Sequence, residues 1–154
     1  MDMVETAAGL RALLPQGGAL IGLDLGTKTI GTAFCDAQWT FATPAKTIKR
    51  RKFLADREEL RLAIESRDAR GIVLGLPRNL DGTEGPRCQS TRAFARNIAD
   101  LALPILLWDE RWSTQAVERA MIEQDVSRGK RAERIDSAAA AYILQGAIDA
   151  LVRD

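Results

Sequence analysis

The stretch ALIGLDLGTKTIGTAFCD, residues 19–36, decides the fold of this 154-residue chain. It consists of two apolar runs joined by a Gly-Thr-Lys turn, a pattern that predicts two consecutive β-strands. Within the first run, Asp24 stands between Leu23 and Leu25. An unpaired carboxylate in a buried strand is costly, so a strand that carries one usually supplies it with a cation or with hydrogen-bond donors. Gly22 and Gly26 leave room for close backbone approach and no basic residue is adjacent, which favours a functional role for this acid.

The rest of the chain alternates between strands and helices. A weaker third strand over residues 40–48 carries Pro44, which suits a sheet edge. Apolar runs and helical spacing then predict the remaining elements in this order: a helix over 51–68, a buried strand over 70–77, a helix around 94–101, a strand over 104–108, a helix near 117–121 capped by Ser113 or Thr114, and a last helix from about Asp136 to Val152. The order βββαβαβαα, after an N-terminal helical extension, predicts an α/β sandwich built on a mixed sheet.

Composition narrows the class of protein. The net charge is only +1, so the chain as a whole has no strong electrostatic attraction to nucleic acid. Five basic residues nevertheless occur within residues 46–52, and four within 127–134. Either cluster alone is typical of a solvated face, but two together support contact with a phosphate backbone. Two cysteines far apart in sequence predict reduced thiols in a cytoplasm, and we expect neither a membrane span nor a leader.

Two further acids stand where strands and helices meet. Glu110 follows the apolar run of the strand over 104–108, and ligand sites of α/β sheets gather at the carboxyl ends of strands. Asp136 opens an alanine-rich helix whose residues 138–141 permit close approach to a sheet. Taken alone, Asp136 is typical of a helix N-cap, and Glu110 of an exposed acid paired with Arg111. Together with Asp24, however, they predict an oxygen-rich site suited to Mg²⁺ or Mn²⁺.

Four motifs in this order carry a resemblance to a known family: GLDLGTKTIGTA, GLPRNLDGTEGPR, WDERWST and IDSAAAAYILQ. Over roughly residues 20–150 the chain resembles the YqgF family, also called RuvX, of Holliday junction resolvases and precursor ribosomal RNA nucleases within the ribonuclease H-like superfamily. The resemblance implies a five-stranded mixed sheet of order 3-2-1-4-5 with the second strand antiparallel. We therefore expect an N-terminal helical extension over residues 1–17 and a single nuclease domain over 18–154.

The resemblance also implies which residues form the site. Asp24, Glu110 and Asp136 match the family's catalytic acids, which hold two Mg²⁺ or Mn²⁺ ions. Basic residues expected to contact nucleic acid are Lys28, Arg78, Arg87, Arg111, Lys130 and Arg131. Residues 77–87, here called the flap, contain glycines and prolines that shape a turn over the substrate. The chain has no histidine, so proton transfer to the leaving group would need water, a lysine or the metal shell.

The function implied is that of a metal-dependent endonuclease, a hydrolase that processes precursor 16S ribosomal RNA during ribosome biogenesis, with ribosomal particles as candidate partners. One alternative is a Holliday junction resolvase, and another is a protein that binds RNA or branched DNA without cutting it. The motif GLDLGT also resembles the phosphate loop of actin-like ATPases and sugar kinases, but those proteins use two such domains, and 154 residues supply one. Monomer and homodimer both remain open, since symmetrical cleavage of a junction would require a dimer.

Overall fold

The computed structural model describes residues 2–110 and 128–153, with side chains for 2–110 and 137–153. The strands are β1 (Met3–Val4), β2 (Leu20–Leu25), β3 (Thr29–Cys35), β4 (Ala42–Pro44), β5 (Ile48–Lys49), β6 (Gly71–Leu76) and β7 (Ile105–Asp109). The helices are α1 (Ala7–Leu13), α2 (Phe53–Arg67), α3 (Pro86–Asn97) and α4 (Arg128–Arg153), with a 3₁₀ turn at Ala99–Leu101. None of the helices in the described ranges is both long and apolar enough to cross a bilayer.

All seven strands join one mixed sheet, which confirms the predicted class of fold. The order is β1-β7-β6-β2-β3-β4, and β5 pairs with β3 beyond the end of β4. β3 runs antiparallel to β2, whereas β6 and β7 run parallel to it. The path β4-β3-β2-β6-β7 is the predicted order 3-2-1-4-5. The third predicted strand is divided into β4 and β5: Pro44 ends β4, and the Ala45 amide still donates to the carbonyl oxygen of Thr32 at 2.8 Å before the chain reaches β5.

Two predicted helix starts are wrong in position. The helix predicted around 94–101 begins at Pro86, since Gly85 and Pro86 form an N-cap and N1 pair, and it ends at Asn97. The last helix begins at Arg128, eight residues before Asp136, because residues 130–134 are mostly strong helix formers. Asp136 therefore lies inside α4, which excludes its reading as an N-cap. The helix predicted near 117–121, with its caps Ser113 and Thr114, lies outside the described residues.

Side chains alternate between the two faces of the sheet and form two cores. Ile21 and Leu23 of β2 belong to the core beneath α2 and α3. Leu20 belongs to the core beneath α4 and α1, with Leu144 of α4. Because strand side chains alternate with a period of two, Asp24 shares the α4 face with Leu20.

The first residues of the chain join the sheet rather than only flanking it. β1 pairs in parallel with the edge of β7, with Met3 opposite Ile105 and Val4 opposite Leu106. The Thr6 side chain then accepts a hydrogen bond from the Gly9 amide at 3.0 Å and caps α1. The segment predicted as a helical extension thus contains an edge strand as well as a helix.

Gly22 sets how closely α4 approaches the sheet. A Cβ atom at this position would lie 2.8 Å from the Cβ of Leu144 and 3.0 Å from the carbonyl oxygen of Ala140. Neither of those atoms is the end of a flexible side chain, so the helix itself would have to move.

We expect Gly22→Ala to lower the free energy of unfolding by about 1–3 kcal/mol, because it overpacks this contact. The measurement is urea unfolding. Gly146→Ala is the matched control in α4: the nearest atoms to its Cβ belong to the Trp108 side chain, at 3.1 Å or more, rather than to backbone, and alanine gains helix propensity of up to about 1 kcal/mol. An equal loss in both variants would contradict the tight approach at Gly22.

Candidate active site

Asp24 and Glu110 lie together at the carboxyl edge of the sheet. Asp24 is the last residue but one of β2 and is 9% exposed, and Glu110 directly follows β7 and is 6% exposed. The Glu110 amide donates to the carbonyl oxygen of Leu76 at 3.3 Å, which holds the chain against the end of β6. The two acids therefore come from strands that flank β6 on either side.

Gly75 of β6 makes room for the two carboxyl groups to meet. It lies opposite Trp108 in the ladder, and a Cβ atom there would lie 2.9 Å from both Cδ and Oε2 of Glu110. The Glu110 side chain thus passes over the glycine towards Asp24. Sequence analysis did not identify Gly75 as part of the site, although a glycine inside a buried strand is a sign of close approach.

The two acids interact strongly. Burial, the negative charge of Asp24 and a hydrogen bond with it together raise the pKa of Glu110 from its ordinary 4.5 to about 9, burial contributing most. The positive charge of Arg87 opposes this pKa shift, and Asp109 adds to it. Two carboxylates this close do not both ionise readily, so at neutral pH the pair holds one proton. Oε2 of Glu110 is buried without a hydrogen-bond partner in the described part of the chain.

The backbone of α4 brings Asp136 level with Asp24. Ala140 packs over Gly22, and α4 runs antiparallel to β2, because its later residues pack near Leu20 and α1. Asp136 is one turn, about 6 Å, before Ala140, and Asp24 is two strand residues, about 6.6 Å, beyond Gly22. Measured from the contact between Ala140 and Gly22, the backbones of both acids therefore lie a similar distance towards the carboxyl edge of the sheet. The side chain of Asp136 is outside the described residues.

The donor set fits a hard divalent cation. Among the side chains that the structure describes, no three acidic or sulfur ligands form a group, so the described part of the site is the pair Asp24 and Glu110. Both supply carboxylate oxygens, and Oε2 of Glu110 receives no hydrogen bond from the residues that the structure describes. Such a pair is stabilised by a proton or by a cation that replaces it. Asp136, from its backbone position, is the third candidate ligand.

Basic residues surround this edge on the side of β3. Lys28 is exposed in the turn between β2 and β3, and its carbonyl oxygen accepts a hydrogen bond from the Arg50 amide at 2.9 Å. Lys49 pairs with Thr29 at the start of β3. The basic cluster of residues 46–52 is thereby held next to the carboxyl end of β2, close to Asp24.

The flap borders the site on the other side. A cleft of about 350 Å³ separates it from Glu110, and its lining residues are Pro77, Arg78, Asn79, Leu80, Gly85, Pro86, Arg87 and Glu110. Arg87 is exposed and forms no ion pair with any side chain in the described ranges. It therefore remains available to a phosphate near Glu110.

Arg78, which the sequence also predicts to contact nucleic acid, is in a different environment. Its guanidinium lies among three carboxylates, 3.5 Å from Glu5, 3.7 Å from Glu84 and 3.9 Å from Asp109. Its charge is already partly compensated within the protein. Of the other predicted contacts, Lys130 and Arg131 lie in the first turn of α4 without described side chains, and Arg111 is outside the described residues.

Comparison with known proteins places the chain in a family. The family model described as RuvX, Holliday junction resolvase, matches residues 18–150. A protein of Sphingopyxis alaskensis named "Putative pre-16S rRNA nuclease" is 65% identical over 152 residues, which are 98% of this chain and 100% of that protein. A protein of the same name from Novosphingobium aromaticivorans is 64% identical, over 97% of this chain and 96% of its own length.

Among solved structures, the fold is similar to that of Thermus thermophilus RuvC. The TM-score is 0.51 at 12% identity, with 86% of this chain and 95% of that chain covered. A second RuvC structure, in complex with a Holliday junction substrate, has a TM-score of 0.50 at 12% identity, over 86% and 94%. At this identity the likeness shows the ribonuclease H-like fold alone. With a family model spanning nearly the whole chain and two relatives close to two-thirds identical to it, this protein belongs to the RuvX family.

Proposed function

We propose that this protein is a divalent-metal-dependent endonuclease that hydrolyses phosphodiester bonds of precursor 16S ribosomal RNA. The observation that carries the proposal is the buried pair of Asp24 and Glu110, which face each other at the open edge of the sheet, with Oε2 of Glu110 unpaired among the described residues. A buried like-charge pair of this kind is costly for stability and is typical of a functional site. The names of the two similar proteins support the nuclease activity and the ribosomal RNA substrate.

The residues proposed to hold the metal are Asp24, Glu110 and Asp136. Two Mg²⁺ or Mn²⁺ ions bound there would activate a water molecule and neutralise the charge that develops on the leaving oxygen. The carboxylates themselves orient rather than attack, because burial and the packing around Gly75 fix their positions. The chain has no histidine, so we propose water, a lysine or the metal shell as the source of a proton for the leaving oxygen, and Lys28 is the lysine closest in sequence to Asp24.

Contacts to the phosphate backbone are proposed on both sides of the acid pair. Lys28 and the basic cluster of residues 46–52 lie on the β3 side, and Arg87 lies on the flap side beside Glu110. A strand of nucleic acid that spans these groups would pass directly over the carboxylates. Lys130, Arg131 and Arg111 remain proposed contacts from the sequence, and Arg78 is a weaker candidate because carboxylates already surround it.

A second candidate function is cleavage of Holliday junctions, which the description of the family model favours. The acid pair would serve either substrate, since both reactions break a phosphodiester bond. Incubation with Mn²⁺ or Mg²⁺ against a precursor 16S RNA and a four-way DNA junction, followed by end-group analysis, separates the two. Junction cleavage would also require a homodimer, whereas trimming of an RNA end works with a monomer. Binding to both substrates without cleavage would show that the protein is a binding module.

Residues 18–154 are proposed as one nuclease domain that acts in the cytoplasm, with ribosomal particles as partners. Support for a reducing compartment comes from Cys35 and Cys88, which are both buried free thiols.

We expect Asp24→Asn to reduce cleavage by at least about 100-fold and to weaken Mn²⁺ binding in isothermal titration, because it removes a charged ligand at constant volume. The metal-free variant should melt at a higher temperature than the parent, since Glu110 no longer lies beside a second carboxyl group that competes with it for ionisation. The control is Glu65→Gln, which removes one negative charge from an exposed position on α2. Unchanged Mn²⁺ affinity in Asp24→Asn would refute the assignment.

The acid pair predicts a pH-dependent stability of the metal-free protein. The pKa of Glu110 is higher in the folded than in the unfolded protein, so folding is favoured by its proton. The contribution of this proton to the free energy of unfolding should therefore be fully present below about pH 4.5. The free energy of unfolding should fall as the pH rises from there towards 9, by up to about 1.4 kcal/mol per pH unit. Urea unfolding in EDTA across this range measures the slope. Glu110→Gln should flatten it, and an equally steep curve for this variant would contradict the shared proton.

The proposed interface predicts the salt dependence of RNA binding. Arg87→Ala should weaken binding and reduce the log–log salt slope by about 0.7–0.9, which is the loss of one phosphate contact. Arg70→Ala is the matched control, because Arg70 precedes β6 at the opposite edge of the sheet. Equal effects of the two variants on the slope would show that only net charge matters and that Arg87 makes no specific contact.

A further inference from the structure

Glu5 connects the start of the chain to the flap. Its Oε1 atom accepts hydrogen bonds from Nη2 of Arg92 at 3.0 Å and from Nη2 of Arg78 at 3.5 Å. Arg92 lies on α3, and Arg78 lies in the flap. A single carboxylate thus joins the N-terminal segment to the start of the flap and to α3, the helix that follows it.

The position of Glu5 is fixed from both sides. It stands between β1, whose residues pair with β7, and Thr6, which caps α1. Further anchors are the hydrogen bond from the Ile105 amide to the carbonyl oxygen of Asp2 at 2.8 Å and the complete burial of Leu10. Since β1 runs parallel to β7, the chain leaves β1 towards the carboxyl edge, where Glu110 and the flap lie.

Local hydrogen bonds define the turn of the flap. The Asn79 amide donates to Thr83 and the Gly82 amide to Asn79, both at 2.8 Å, and Asp81 accepts from the Thr83 amide at 2.9 Å. The Arg78 amide ties the start of the flap to β6 by donating to the carbonyl oxygen of Leu76 at 2.9 Å, and the contacts with Glu5 tie it to the N-terminal segment.

Arg92 ties this turn to Glu5. It donates to both carboxylate oxygens of Glu84 at 2.8 and 2.7 Å, in the bidentate geometry that gives the strongest arginine pairs. These hydrogen bonds lower the pKa of Glu84, so the acid stays ionised at neutral pH. The chain of contacts Glu5–Arg92–Glu84 therefore spans the N-terminal segment, α3 and the flap.

Charge balance indicates that this cluster holds the flap rather than phosphate. Two guanidinium groups, those of Arg78 and Arg92, face three carboxylates, those of Glu5, Glu84 and Asp109. No positive charge is left over, whereas Arg87, at the end of the flap, has no such partner in the described ranges. A network of several charges also holds its geometry better than an isolated surface pair.

We infer that Glu5 is a positioning residue, which acts through Arg92 and Arg78 to hold the flap so that Arg87 and the cleft beside Glu110 are set for the substrate. The inference rests on the proposed function for its catalytic meaning, and it gives residues 2–13 a role at the active site. Holding a binding loop in its productive position lowers the entropy lost when substrate binds.

The test compares Glu5→Gln and Glu5→Asp with Asp2→Asn. Glu5→Gln removes the charge, and Glu5→Asp keeps the charge but shortens the side chain. Asp2→Asn removes one acid from the same segment and leaves its backbone hydrogen bond to Ile105 intact. Hydrogen exchange of the flap amides, followed by mass spectrometry, should be roughly three to ten times faster in both Glu5 variants and unchanged in the control, with the same urea midpoint for all.

Kinetics provide the second measurement. With a precursor 16S RNA substrate, the KM of both Glu5 variants should rise by roughly threefold to tenfold, while kcat stays within about twofold of the parent. Unchanged flap exchange in both variants would overturn the inference whatever the activity. Faster exchange with an unchanged KM would show that Glu5 only stabilises the loop, which also overturns it.

Failure of the proposed function gives a different result. If the parent protein cleaves neither RNA nor junction, the flap exchange and the RNA affinity of the same variants still decide whether Glu5 positions the flap. Faster exchange with weaker RNA binding would then support the positioning role in a binding protein, and RNA affinity equal to that of the parent would overturn it.

Discussion

The mutual repulsion of two buried carboxylates is the constraint on which the rest of this structure depends. Asp24 and Glu110 can meet only because β2 and β7 run parallel on either side of β6, and because β6 has a glycine where their side chains cross. The alternation of the strands places both acids on the face covered by α4, and Gly22 lets that helix come close enough to bring Asp136 level with them. The closely packed sheet and helix therefore hold side by side two buried carboxyl groups that cannot both ionise readily.

The central strands could be predicted from the sequence, whereas their order came from the resemblance to the YqgF family. β2, β6 and β7 are short apolar runs, and β3 follows β2 after a turn, so pairing and crossover rules allow the observed order without requiring it. β1 has only two residues and no periodicity, and it exists because the edge of β7 offers unpaired backbone groups. The start of α4 was missed for a related reason: an acid before an alanine run is a good N-cap signal, but good helix formers precede it and carry the helix further.

The acids of the site were predictable, whereas their supports were not. Asp24 is conspicuous among apolar neighbours, and Glu110 stands at a strand end, so elementary rules on buried charge and on parallel sheets find both. Gly75 is visible in the sequence, but nothing in a single chain says which side chain occupies the space that its missing Cβ leaves. For Arg78 the sequence suggests a role that the structure makes less favourable. An arginine in a glycine-rich loop is typical of a phosphate contact, and only the fold shows that Arg78 already pairs with Glu5 and Asp109, which are both distant in sequence.

The residues that position the acid pair and the residues that position the flap come from different parts of the chain. The acid pair depends on β2, β6 and β7, which lie within the part of the chain matched by the RuvX family model. Glu5 and β1 precede that part, yet they contact the flap that borders the acid pair. Because the same carboxylates suit any phosphodiester, selection between an RNA end and a branched DNA must come from groups that shape access to them. The flap and its attachments are such groups, and their charges are balanced internally rather than directed at phosphate. Under the proposed function, access to the site depends on how firmly the first residues hold the loop, and Arg87 and the basic cluster of residues 46–52 are the proposed contacts to the backbone.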